Sequence, residues 1–100
     1  MRILLVCNAG MSSSILIGKI KEAAKRQNKD IVVGASPMQG ISEEKGLWDV
    51  CLIGPQISYA VDNVKEILGI PVLAIEPRIY ALADGEKALI LAEKLYNATK

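Results

Sequence analysis

The stretch Arg2-Ile3-Leu4-Leu5-Val6-Cys7-Asn8-Ala9-Gly10-Met11-Ser12-Ser13-Ser14 decides the fold. Arg2 to Val6 is aliphatic with no polar alternation, the pattern of a strand buried on both faces of a parallel sheet. Small and polar residues then break the run. From Ser12 to Gln27, apolar residues return at helical spacing: Leu16, Ile20 and Ala23 or Ala24. Lys19, Glu22 and Arg26 mark the wet face. A buried strand leading at once into an amphipathic helix is the first half of a βαβ unit.

Downstream the same alternation repeats. Ile31 to Ala35 is a second strand, followed by Ser36-Pro37. Met38 to Leu47 is polar and bounded by glycine, with room for one short helix around Ser42 to Gly46. Asp49 to Ile53 is a third buried strand, turned by Gly54-Pro55. Ile57 to Leu68 is a helix with Ile57, Ala60 or Val61, Val64, and Ile67 or Leu68 on one face. Gly69 stands at its C-cap with Pro71 beyond. Val72 to Ile75 is the fourth strand and Glu76 to Ala83 a loop. Asp84 caps a last helix running to about Asn97, with Ala88, Leu91 or Ala92, and Leu95 inward. The expected fold is α/β, a single open four-stranded parallel sheet with helices on both faces through right-handed crossovers. No repeat or linker divides residues 1–100, so one domain is expected.

Composition narrows the function. With 51% hydrophobic residues the chain can bury a core. Twelve basic against eleven acidic residues give a net charge of +1. That lacks the basic excess of a nucleic-acid binder, and 4% aromatic residues offer little for base stacking. No apolar run reaches the roughly 18 residues of a membrane span, and Cys7-Asn8 interrupts the opening run too early for a signal peptide. No membrane insertion and a cytoplasmic location are expected. Two cysteines without a histidine make neither a disulfide framework nor a complete metal site. No metal or cofactor is expected, and a histidine in any reaction must come from another protein.

The chemistry concentrates between Cys7 and Ser14. Ligands of open α/β sheets bind at the carboxyl ends of the strands, where a following helix points its free N–H groups and positive dipole end. Gly10 permits close backbone approach. Ala9 is small, and Ser12, Ser13 and Ser14 can donate to phosphate oxygens or cap the helix. Successive N–H groups of Asn8 to Ser14 can form an anion-binding nest. The positive potential at its mouth favours a thiolate on Cys7, and a phosphorylated thiol would set its oxygens among the same donors. The residues alone leave a second reading open: Cys7 as the last buried residue of a strand, with serines capping the helix behind it.

The segment Leu5 to Ser14 resembles the cysteine loop of enzyme IIB components of the bacterial sugar phosphotransferase system. Its likeness is to the lactose/cellobiose/chitobiose class, whose loop runs C-x-A-G-M-S-[ST]-S. Asp49-Val50-Cys51-Leu52-Ile53-Gly54-Pro55-Gln56-Ile57 is similar to the family's D-x-x-L-x-G-P-Q segment. A weaker match runs from Pro71-Val72 through Ile75 to Tyr80 and Asp84-Gly85. The resemblance covers essentially all 100 residues. It implies that Cys7 accepts a phosphoryl group from a histidine on a IIA partner. Cys7 then passes it to a sugar held by the membrane IIC partner, a β-linked disaccharide such as cellobiose, chitobiose or lactose. A monomeric carrier with Asn8 to Ser14 around the phosphate is expected.

The loop is similar too to that of low-molecular-weight tyrosine phosphatases, C-x5-R-[ST], but the arginine position is Ser13 here. Without a guanidinium to stabilise transition-state charge, a carrier is favoured over the alternative of a stand-alone cysteine phosphatase. Asp84 is a conceivable general acid and more simply an N-cap. A non-catalytic anion-binding module is the third reading. Gly54, Pro55 and Gln56 follow the third strand on the edge that also carries Cys7. They serve either as a turn or as one wall of the site. Tyr80 could rim the same site. Tyr59 starts a helix or contacts a partner, Met11 faces outward over the site, and Arg78 is read as a solvated charge. Cys51, mid-strand, and Trp48 are read as core.

Overall fold

The computed structural model describes residues 1–7 and 10–98, with residues 10–13 described in backbone only. The elements are β1 (Arg2–Cys7), α1 (Gly10–Arg26), β2 (Val32–Pro37), β3 (Val50–Ile53), α2 (Val61–Leu68), β4 (Val72–Ala74), α3 (Pro77–Ala81) and α4 (Gly85–Ala98). Two 3-10 segments, Met38–Glu44 and Pro55–Ala60, precede β3 and α2. All strand pairs are parallel and the order is β2-β1-β3-β4.

That order explains the burial. β1 lies between two neighbours and has helices on both faces, so Ile3 to Val6 have no exposed surface. Alternate residues feed two cores. Ile3, Leu5, Val50 and Leu52 pack with Leu16, Ile20, Ala23, Ala88 and Leu89 from α1 and α4. Leu4, Val6, Cys51 and Ile53 pack on the other face with Ile57, Ala60, Val64 and Leu68. The apolar residues expected inward on α1 and between Ile57 and Leu68 are buried, and on α4 Ala88 and Ala92 are buried while Leu95 is half-buried. Each fully buried Leu or Ile contributes about 1.5–3 kcal/mol against the chain's ordering entropy.

α1 and α4 meet at Gly85, where an added Cβ would fall into the backbone of Lys19 and 2.6 Å from Ile20 N. Gly69 ends α2 in the left-handed conformation at φ 66°, its N–H donating to Lys65 O. Asp84 caps α4, its Oδ1 accepting the Lys87 N–H at 3.2 Å. At the amino ends of the strands, Asp49 accepts the Arg2 N–H at 2.8 Å and returns its own N–H to Arg2 O. The Arg2 main-chain hydrogen bond, with the Arg2 guanidinium, holds the Asp49 carboxyl below the usual carboxylate range despite partial burial.

Four local expectations need correction. The segment Glu76 to Ala83 is not a loop throughout: Pro77 opens α3, and Ile79 and Tyr80 turn inward. The helix expected from Ile57 begins instead as a 3-10 segment at Pro55, with non-helical angles at Ile57, before α2 starts at Val61. The short helix expected at Ser42 to Gly46 is the 3-10 segment Met38–Glu44. β2 runs two residues past Ala35, because an edge strand tolerates Pro37 where a central strand would lose a ladder bond.

Candidate functional site

β1 leads by α1 to β2 on one side, and the next strand, β3, lies on the other side of β1. The chain direction across the sheet thus reverses between β1 and β3. Such a switch point opens a crevice outside the carboxyl ends of those two strands, where open α/β sheets take their ligands. The residues at those ends are Cys7 and Gly54.

Cys7 ends β1 opposite Pro37 of β2 and is 6% exposed. α1 begins at Gly10, two residues earlier than the apolar spacing indicated, so Gly10 to Ser14 belong to its first turns rather than to a loop. The first four N–H groups of a helix have no intrahelical acceptor, and the seventeen residues of α1 add a dipole whose positive end begins three residues after Cys7 in the chain. Ser14 is exposed near that end. Asn8 and Ala9 lie outside the described residues, as do the side chains of Met11, Ser12 and Ser13.

The opposite wall comes from β3. The Gly54 N–H donates to Val6 O at 2.9 Å, tying this turn to the strand that carries Cys7. A Cβ placed on Gly54 would lie 3.1 Å from Gln56 Oε1, 3.5 Å from Cys7 Cβ and 3.7 Å from Tyr80 Cε1. One point in space thus touches three residues that the sequence reading had set together only as alternatives. Tyr80 is not on a loop; it is buried on α3 with its ring edge on this point. Pro55, Gln56 and Tyr80 also line an open groove of about 410 Å³ with Ile15, Pro77, Ala81 and Ala83.

The two cysteines differ. Cys51 pairs with Leu4 in register and lies in the core on the face opposite to that of Leu5 and Cys7. Burial pushes its thiol up to about 12, so it stays protonated. No disulfide joins the two. Asp84 is committed to capping α4. Tyr59 is exposed on the 3-10 segment, Arg78 is exposed on α3, and Trp48 packs half-buried with its Nε1 donating to Glu44 Oε1. The sequence reading missed Ile15, which falls off the apolar stripe of α1. It also missed Pro77, Ala81 and Ala83, which sat in a segment taken as unstructured. No helix among the described residues is long and apolar enough to cross a membrane.

A four-stranded parallel sheet with its crevice at a strand-end cysteine defines a class of small α/β domain. Residues 2–90 match the family of PTS system lactose/cellobiose-specific IIB subunits. The galactose-specific EIIB component of Lactococcus lactis subsp. cremoris (strain MG1363) is 35% identical over 95% of each chain. The cellobiose-specific EIIB component of Lactococcus lactis subsp. lactis (strain IL1403) is 35% identical with the same coverage. The solution structure of the cellobiose-specific IIB component from Borrelia burgdorferi superimposes with a TM-score of 0.81 at 37% identity, covering 98% of this chain and 93% of that one. The chain belongs to the lactose/cellobiose IIB family and is a IIB component of a sugar phosphotransferase system.

Proposed function

We propose that this chain is a cytoplasmic phosphocarrier acting through Cys7, with residues 1–100 forming one IIB domain. The observation that carries this reading is the place of Cys7. It is the last residue of an inner strand, at the switch-point crevice, and α1 begins three residues further along the chain. Asn8 to Ser14 hold the phosphoryl oxygens, and Gly54, Pro55, Gln56 and Tyr80 form the facing wall.

Cys7 Sγ attacks the phosphorus of a phosphohistidine on the IIA partner. The S–P bond forms as the N–P bond breaks, and the imidazole is released. A sugar hydroxyl at the IIC partner then attacks the same phosphorus. The O–P bond forms, the S–P bond breaks, the thiolate returns and the hydroxyl proton is given up. The helix end supports the negative charge in both steps. Ser13, at the position where a phosphatase has arginine, leaves water without that assistance. The sugar is a β-linked disaccharide such as cellobiose, chitobiose or lactose. Relatives named for galactose and for cellobiose are equally identical to this chain, which fits a sugar choice made by IIC.

Incubation with phosphorylated IIA should add one phosphate by intact mass, and Cys7→Ser should abolish the addition. Phosphate appearing on Cys7→Ser at the normal rate would sink the reading. The carrier works as a monomer in brief encounters, so sedimentation should show one copy with or without phosphate.

A further inference from the structure

We propose that the side-chain amide of Gln56 donates a hydrogen bond to the phosphoryl group carried on Cys7, as the neutral counterpart, on the β3 wall, of the helix N–H groups on the β1 wall. This rests on Cys7 being the carrier.

The donors of the β3 wall can be counted off. The Gly54 N–H is committed to Val6 O, and the Ile57 N–H is committed to Gly54 O at 3.1 Å. Pro55 has no N–H. Within the turn Gly54–Ile57 the remaining donors are those of Gln56, its main-chain N–H and its side-chain amide, and it is the side chain that reaches back toward Cys7. The residue is exposed, its side chain makes no hydrogen bond to any described residue, and its Oε1 lies back against Gly54. The amide end sits 3.1 Å from the point that also lies 3.5 Å from Cys7 Cβ. A side chain at position 54 would press on this tip and make it give by a few tenths of an ångström. Oxygen and nitrogen of a carboxamide exchange by a half-turn, so an arriving phosphoryl group meets the N–H₂ end.

The neutrality of this donor matters chemically. A guanidinium would stabilise charge whichever nucleophile attacks, water included. An amide orients one oxygen by a single bond of ordinary strength. The donor protein and the sugar bring their own positioned groups, whereas water brings none. Held this way, the phosphoryl group passes to a positioned acceptor faster than to solvent.

The test uses the full chain with phosphorylated IIA of a cellobiose-type system as donor. Gln56→Ala should lower kcat/KM for phosphoryl arrival on Cys7 by about tenfold. This is less than the loss of a fully enclosed oxyanion donor, because the amide borders solvent. Gln56→Glu should lower it further through charge repulsion. Both should shift the phosphorus-31 resonance of the S-phosphocysteine, which a fold-only role would not move. Gly54→Ala displaces the amide without removing it and should shift the resonance in the same direction. Gln56 variants that match the parent in both rate and resonance would overturn the inference and leave Cys7 as the carrier. If the parent chain takes no phosphate on Cys7, both readings fall.

Discussion

Two glycines keep two regions of this molecule close together, for opposite reasons. At the α1–α4 seam, Gly85 meets the main chain of Lys19 and Ile20. At the wall of the site, Gly54 meets the tip of Gln56 and, at ordinary contact distance, Cys7 and Tyr80. The seam sets how near two rigid helices come, and main chain cannot step aside. The wall sets where a flexible amide rests, and such a tip can. One space therefore belongs to stability and the other to chemistry, and substitution by alanine should separate them.

The largest effect is expected at the seam. Gly85→Ala drives a methyl into the backbone of α1, so α4 must move away and loosen the packing of Ala88, Leu89 and Ala92. Overpacking of this kind typically costs 1–3 kcal/mol, and with backbone as the obstacle we expect about 3 kcal/mol. For a chain of 100 residues that lowers Tm by roughly 12 °C or more. A Tm within a few degrees of the parent would show that the seam yields, and the contrast with Gly54 would fail.

Gly34 lies between these extremes. A Cβ there would run into the ring of Trp48, meeting Cη2 first and lying 3.0 Å from Cζ2. The ring is large and half-buried, yet it is a side chain and its Nε1 bond to Glu44 is near the surface. Gly34→Ala should cost about 1–2 kcal/mol. Trp48 is the sole tryptophan, so its displacement toward water should red-shift the emission. Unchanged emission would mean that the strand, not the ring, gives way.

The parts of this fold that were legible share a cause. β1 is an unbroken aliphatic run, and α1, α2 and α4 show enough of a helical period for their buried faces to be read. α3 shows only five residues, PRIYA, too few for a period, and its Pro77 is the first helical residue. The 3-10 start at Pro55 and the run of β2 into Pro37 are likewise decided by neighbours rather than by local preference. In the site, the pairing of Cys7 with Gly54 followed once the strands were taken as parallel. The convergence of Gln56 and Tyr80 on one point did not, because it depends on how α3 sits against the end of β3. The groove was invisible for a related reason. Ile15 is off the helix stripe, so its pattern reads as ordinary solvent exposure.

The smallest stability change belongs to Gly54→Ala, where two opposing terms nearly cancel. The backbone at φ −59°, ψ 145° is open to any residue and suits one that precedes proline, so alanine brings no strain. Removing the glycine restricts the unfolded chain and adds about 0.4–1 kcal/mol of stability. Against this stands one contact at 3.1 Å, whose partner is the end of an exposed side chain with no hydrogen bond to a described residue. Moving that tip by a few tenths of an ångström gives back a comparable amount, so the net change should lie within about 0.5 kcal/mol of zero. Phosphoryl arrival on Cys7 should nonetheless slow, because the methyl presses the Gln56 amide off its resting position. Denaturation midpoints of Gly54→Ala and Gly85→Ala, measured together with transfer rates from phosphorylated IIA, give the decisive pair. If Gly54→Ala loses stability as Gly85→Ala does, its space is structural. If it keeps both stability and rate, the wall is not part of the site.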